Sequence, residues 1–422
     1  MSRPRYEAAI GSARWIATLG ALTTVAALSI DMSLPAQPTL ARRFDVDDGT
    51  AQLSLSLFML GFSAAQVFVG YLSDVWGRRP VLVAGLAGFV VAGVACALSP
   101  TIEVLLACRV LQGAGASAAP VLARAMVRDT QPAHQAARLL STMLAALAVA
   151  PMIAPVIGGA LLGALGWRWI FAMLALCGAA MLGLAHTALP ETLPAERRVP
   201  PSAIGLVRNY RRFFATPGVR LPLLLSCASF AGQFAYIAVS PFVLIDGYHV
   251  SGDAFGFYFA VTALALMLGS LFGGRLLRAG RSPGAMLVTG TSLLLSGGVL
   301  VMIGTHVEQL GIAGFIVPMV IYFFGTGISS PSSTALAMEP VPHIAGTASA
   351  AVGILTMTTG ALAGYETAKL GGSSPTTFAY VTLSMGVLAA AVAWTIAIGR
   401  RRRRRRAAHE QEPSSSSSSA AA

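Results

Sequence analysis

Long apolar runs separated by short polar turns set the pattern of this chain. Twelve such runs stand out, at 15–36, 51–73, 81–99, 102–124, 138–163, 167–188, 219–245, 253–277, 284–304, 310–334, 345–369 and 376–399. Each approaches the roughly 20 predominantly apolar residues with which an α-helix crosses a bilayer. Their length and continuity predict helices rather than strands. The sharpest polar interruption is Gly70-Tyr71-Leu72-Ser73-Asp74-Val75-Trp76-Gly77-Arg78-Arg79-Pro80, wedged between the second and third runs. Twelve spans put both chain ends on the same side of the membrane.

Composition agrees with the pattern. Only 11% of the 422 residues are charged and 55% are hydrophobic, whereas about 25% of an ordinary soluble domain is charged. The net charge of +12 raises the question of a nucleic-acid partner. The basic residues, however, occupy the turns and the C-terminal tail, where they set topology and touch anionic headgroups. With the N-terminus inside, the cytoplasmic side receives Arg3, Arg5, Arg14, Arg78, Arg79, Arg124, Arg128, Arg138, the linker arginines and the arginine run at 400–406. Of 29 Lys and Arg residues, only Arg42, Arg43, Arg168 and Lys369 fall on the other side, and Arg109 lies within a span. That imbalance orients the chain with both termini cytoplasmic. The N-terminal basic-then-apolar stretch imitates a signal peptide, but no small-residue cleavage site follows, so it reads as a retained first span. Cys96, Cys108, Cys177 and Cys227 all sit in apolar runs without C-x-x-C spacing; neither a metal site nor a disulfide framework is expected. Trp15 and Trp394 are expected in the interfacial aromatic belt.

The longest loop, between spans six and seven, is rich in proline and arginine. The chain therefore divides into a six-helix half at 1–188, a cytoplasmic linker at 189–218, a second six-helix half at 219–399 and a disordered basic, serine-rich tail at 400–422. A faint internal repeat supports the division. Gly70, Gly77, Arg78 and Pro80 lie over Gly273, Gly280, Arg281 and Pro283 in the turn between spans eight and nine, with Leu277 where the first copy has Asp74. Paired halves of this kind place a substrate site at their interface.

Asp31 is the most informative single residue, because a carboxylate within a span is costly unless it meets a cavity or a partner. It lies roughly 7–8 Å from the outer end of span one, and Arg109 roughly 10 Å from the outer end of span four, at 1.5 Å per residue. Their similar depth predicts a pair, direct or through water. Such a carboxylate suits proton coupling: it stays ionised beside a cation and takes up a proton when burial dominates. A purely structural ion pair is the competing reading. Gln112 and Gly113 share the helix face of Arg109.

Several of these stretches resemble signatures of the major facilitator superfamily. The turn reads G-x-L-S-D-x-x-G-R-R-P, like that family's loop 2–3 motif, and Arg109-Val-Leu-Gln112-Gly113-Ala-Gly115 resembles its R-x-x-Q-G-x-G signature of span four. In span five, Pro151-Met-Ile-Ala154-Pro155-Val-Ile-Gly158-Gly159 resembles the antiporter motif, in the form found in the Bcr/CflA drug-resistance branch. Asp31-Met-Ser-Leu-Pro35, Gly166-Trp-Arg168-Trp-Ile-Phe171 and Leu189-Pro-Glu-Thr-Leu193 fit that branch too. The resemblance implies an all-α membrane protein of two pseudo-symmetric six-helix bundles. It implies a proton-transfer role for Arg109, and a conformational latch built from Gly70, Asp74, Gly77, Arg78 and Arg79. Asp74 would face Arg124, Arg128 and the N-terminal end of span eleven near Ile344–Thr347. Thr23 stands where some drug antiporters carry a second acid, which argues against a two-carboxylate scheme.

Gln233, Tyr236, Met267, Tyr322 and Phe323 are further candidates for lining a cavity, with helix packing as the alternative for each. Glu366 is expected to pair locally with Lys369. The combined reading is a monomeric, inner-membrane drug:proton antiporter. It would export small, partly hydrophobic compounds of phenicol, bicyclomycin or sulfonamide type, with no cofactor, no metal, no nucleic acid and no enzymatic activity. A metabolite exporter or symporter, for an amino acid or sugar, is the alternative. A receptor would leave Asp31 and Arg109 without a role, and no nucleophile–base spacing supports a membrane enzyme.

Overall fold

The computed structural model describes residues 10–198, 203–371 and 374–411. It contains twelve helices long and apolar enough to cross a membrane. In order they are Ala13–Phe44, Asp48–Trp76, Arg78–Leu98, Ile102–Thr130, His134–Leu165, Trp167–Ala188, Pro217–Gly247, Gly252–Arg278, Pro283–Gly304, Gly311–Met338, Gly346–Gly371 and Pro375–Arg400, here spans one to twelve. The protein is therefore a multi-pass membrane protein.

The two halves repeat one packing scheme. In the first, span two packs on four, three on six, and one on five; in the second, eight packs on ten, nine on twelve, and seven on eleven. The halves meet along two seams, span two against eleven and span five against eight. Exchanging the halves turns span two into eight and span eleven into five, so one seam becomes the other and a pseudo-two-fold axis runs between the halves. The seam between spans five and eight is closed by small residues. A Cβ on Gly159 would fall 2.1 Å from the Gly252 carbonyl oxygen, and one on Gly256 2.6 Å from Val156 Cα. Backbones approach this closely only where side chains are absent.

The two ends of the bundle differ. At one, the Arg42 end, the halves are tied together. Arg42 pairs with Asp246 at 2.6 Å, Ser56 Oγ donates to the Ala361 carbonyl at 2.6 Å, and Gly49 lies against Lys369. Span two starts here at its N-cap Asp47, which accepts from the Thr50 hydroxyl and amide; those bonds hold the Asp47 carboxyl below its ordinary range. At the other, the Arg78 end, the halves part around a cavity of about 660 Å³.

Four expectations change. The linker contains a helix, Ala203–Ala215, and the helix of span twelve continues through the arginine run to Gln411, since arginine is a good helix former; residues 412–422 of the expected disordered tail lie outside the described residues. Trp15 is buried in the core rather than placed at the interface, whereas Trp394 is half exposed. Lys369 lies over the Tyr365 ring at 5.7 Å and forms no ion pair with Glu366.

Candidate functional site

Span one is not a continuous helix. Its first segment ends at Asp31, a 3-10 turn follows at Leu34–Ala36, and a second segment runs Gln37–Phe44. Pro35, which has no N–H to give, sits in that turn. The Ser33 amide bonds to the Ile30 carbonyl instead of to Ser29, which releases the Ser29 carbonyl for other donors. Ser33 Oγ takes it at 3.0 Å and Arg109 Nη2 at 3.3 Å.

Arg109 is fully buried and held from four helices. Besides Ser29 it donates from Nε to the Ser54 carbonyl at 2.9 Å and from Nη1 to Gln112 Oε1 at 2.7 Å. Its guanidinium lies 4.4 Å from the Phe58 ring centroid and 5.6 Å from that of Phe171. Neutral carbonyls and aromatic faces therefore satisfy this cation. Asp31 is not directly bonded to it: among the described residues Asp31 has no ion pair, although it is 5% exposed. Ser29 and Asp31 are about 200° apart around the helix, so the face that turns toward Arg109 carries Ser29. The closeness of spans two and four fixes this geometry: a Cβ on Gly113 would lie 2.0 Å from the Phe58 carbonyl oxygen, and one on Gly61 2.2 Å from that of Val110.

Span five connects the Asp31 region to the other half. Pro151 and Pro155 lie inside an unbroken helix. Gly158 packs on the Met32 carbonyl, where its Cβ would come within 2.1 Å, while its neighbour Gly159 meets span eight. One glycine thus touches the residue after Asp31, and the next touches the seam between the halves.

At the Arg78 end, the turn carries a network of five elements. Gly77 has φ +102°, a region open to glycine. Arg78 donates to Asp74 at 2.5 Å and to Asp129, at the end of span four, at 2.9 Å. Glu191, beyond span six, accepts the Arg78 amide at 2.9 Å and the Arg79 amide at 3.2 Å, so it caps the N-terminus of span three. Arg79 Nη2 donates to the His186 carbonyl at 2.9 Å. Gly70, Asp74 and Arg78 line the cavity together with Arg124, Arg128, Gly346 and Thr347. Asp74 thus shares a cavity with the groups expected to face it, but its direct partner is Arg78. The linker helix supplies Asn209 and Tyr210 to the same cavity, and burial raises the Tyr210 phenol above its ordinary value. Glu191, Asp129 and the linker helix were not among the expected site residues.

The second half presents aromatics. Tyr236 is fully buried among Phe323, Phe315, Phe259 and Phe378, with ring centroids 5.1 to 6.1 Å away. Tyr322 places its hydroxyl against Gly232. Among the described residues, the hydroxyls of Tyr322, Ser229, Ser240 and Thr382 are buried without a hydrogen-bond partner, and an unpaired buried polar group is costly. Gln233 and Met267 are half-buried. None of Gln233, Tyr236, Met267, Tyr322 or Phe323 lines the cavity at the Arg78 end.

The sequence profile of the Major Facilitator Superfamily matches residues 19–365. The chain belongs to that superfamily. It is similar to the uncharacterized MFS-type transporter YdgK of Bacillus subtilis (strain 168), at 34% identity over 82% of this chain and 86% of the relative. A chloramphenicol resistance protein of Pseudomonas aeruginosa is 31% identical over 83% of this chain and 82% of its own length. The solved structure of a peptide transporter, POT, in complex with sulfate superposes with a TM-score of 0.75 at 13% identity, covering 95% of this chain and 98% of the other. At that identity the structural likeness establishes the fold, and this facilitator has the two-bundle architecture its sequence implies.

Proposed function

We propose that this facilitator is a drug exporter of the Bcr/CflA type, moving small, partly hydrophobic compounds out of the cytoplasm in exchange for protons. The Arg78 end faces the cytoplasm in this reading, both termini lie on that side, and the membrane is the bacterial inner membrane. The observation that carries it is Asp31: a buried carboxylate with no ion-pair partner among the described residues, at the helix break of span one, beside the glycine pair that joins span five to the opposite half. A compound enters the cytoplasm-facing cavity while the Arg42 end is tied shut. Protonation of Asp31 from the outside removes a buried charge and releases the compound outward; return of the proton inward resets the transporter. Arg109 has its bonds satisfied by carbonyls and Gln112, and it positions spans one, two and four around the acid. The resistance protein of Pseudomonas aeruginosa supports a phenicol-type substrate, and the aromatic, hydroxyl-bearing second half suits such a molecule.

The driving force is sufficient. One net charge moved through about 150 mV supplies roughly 3.5 kcal/mol, a few-hundred-fold gradient at about 1.4 kcal/mol per tenfold.

The test is proton movement in inverted vesicles energised to an acidic interior, with phenicols, bicyclomycin, sulfonamides and a metabolite panel added in turn. Substrate-triggered proton release by the native protein, lost in Asp31→Asn, is the expected result. Release unchanged in the Asp31→Asn variant would remove that residue from the coupling scheme. Transport of amino acids or sugars alone would replace the drug-export reading with a metabolite carrier.

A further inference from the structure

The linker helix Ala203–Ala215 has a face that no described part of the protein covers. On its inner side, Phe213 is fully buried in a cluster with Val219, Val341, Ala348 and Ala351, and Asn209 and Tyr210 line the cavity. At 100° per residue, Val207 and Phe214 fall on one stripe, about 20° apart, with Arg211, Arg208 and Arg212 following in order around the outer side. Val207 is 66% exposed and Phe214 45% exposed. The three arginines are exposed and have no ion-pair partner among the described residues.

The place of this helix fixes what can cover it. Only Thr216 separates it from Pro217, where span seven begins, so its C-terminal end lies at the level where a transmembrane helix leaves the bilayer. An apolar stripe edged by arginines at that level matches an interfacial helix, whose apolar residues enter the headgroup boundary while its cations meet phosphates. Charge excludes the near alternatives: the arginine run at 400–406 and the same helix of a second copy carry the same sign.

We propose that this face rests on an anionic phospholipid surface, with Val207 and Phe214 in the headgroup layer and Arg208, Arg211 and Arg212 on lipid phosphates. The lipid thereby sets the position of the cavity wall that Asn209 and Tyr210 form on the other side of the same helix. The proposal holds whatever compound the cavity takes.

Hydrogen exchange of the 203–215 segment in the full-length protein tests it. The protein is placed in nanodiscs of phosphatidylcholine alone or with phosphatidylglycerol added. Exchange about tenfold slower with phosphatidylglycerol is expected, with the difference lost in the Arg208→Gln/Arg211→Gln/Arg212→Gln variant and reduced in Val207→Ser/Phe214→Ser. Unchanged exchange in span two serves as the check on folding. Equal protection in both lipids would overturn the proposal, as would a triple variant that keeps the full difference. Equal protection by soluble poly-glutamate in phosphatidylcholine discs would reassign the face to an acidic polypeptide.

Discussion

The turn before span three and its counterpart before span nine share a backbone device and differ in what is attached to it. Gly77 and Gly280 both take positive φ, +102° and +84°, and each is followed by an arginine. Span nine is then capped from within: Ser282, its N-cap, accepts the Ala285 amide at 3.2 Å. Span three has no local cap; its first amides are taken by Glu191, 113 residues away from Arg78. Arg78 reaches Asp74 and Asp129, whereas Arg281 forms no ion pair among the described residues. One copy is a turn. The other joins spans two, three and four and the segment after span six beside the cavity.

The largest expected effect comes from the shared glycine. A Cβ at Gly77 would lie 2.4 Å from Glu191 Oε2, while nothing lies within 4 Å of one at Gly280. Gly77→Ala therefore adds displacement of the Glu191 cap to backbone strain, and Gly280→Ala adds strain alone. Strain of a side chain in these positive-φ regions costs about 1–3 kcal/mol, and hydrogen bonds to a charged group contribute about 1.5–3 kcal/mol. Thermal unfolding in detergent should show Gly77→Ala destabilised by about 3 kcal/mol or more and Gly280→Ala by about 1 kcal/mol; equal losses would reduce the first turn to the second.

Next come the arginines. Removing one partner of a buried ion pair costs about 3–5 kcal/mol, and the partial exposure of Asp74 and Asp129 lowers this to about 2–3 kcal/mol for Arg78→Ala. Arg281→Ala should stay within about 0.5 kcal/mol of the parent. The transport rate separates them further, falling in Arg78→Ala and holding in Arg281→Ala.

The caps are a finer contrast. Glu191→Ala removes charge-assisted bonds to the amides of span three, at about 1.5–3 kcal/mol, and Ser282→Ala a neutral N-cap, at about 1 kcal/mol. Stability should therefore separate them by about 1 kcal/mol. Protease cleavage of the linker separates them further: it is expected to speed up in Glu191→Ala and stay unchanged in Ser282→Ala, because Glu191 also holds the segment after span six against the turn.

The spans were legible in the sequence because lipid demands length and continuity, and the first turn was legible because its glycines and charges stand out between apolar runs. Partners were less so. Arg109 is satisfied by the Ser29 and Ser54 carbonyls, and a backbone carbonyl leaves no trace in residue identity; the available signal was Pro35, which marks where span one breaks and frees Ser29. Glu191 lies far from Arg78 in sequence, and nothing in the spacing of Leu189–Leu193 indicates a cap. The linker helix was hidden by flanking prolines, although Val207, Tyr210, Phe213 and Phe214 recur at helical spacing.

The smallest effect is a gain. Leu277 occupies the position of Asp74 in the second copy, four residues before Arg281, so Leu277→Asp recreates the i,i+4 pair seen between Asp74 and Arg78. Such a pair adds about 0.3–0.5 kcal/mol at an exposed helix end, offset in part by the Asp at a helix C-terminus, where negative charge is disfavoured. The net change in unfolding free energy should be under about 0.5 kcal/mol, with no change in transport rate. A clear rise in stability would mean that the pair alone makes the first turn rigid. The expected near-zero result places the rigidity in Asp129 and Glu191, the two acids that reach the turn from span four and from beyond span six.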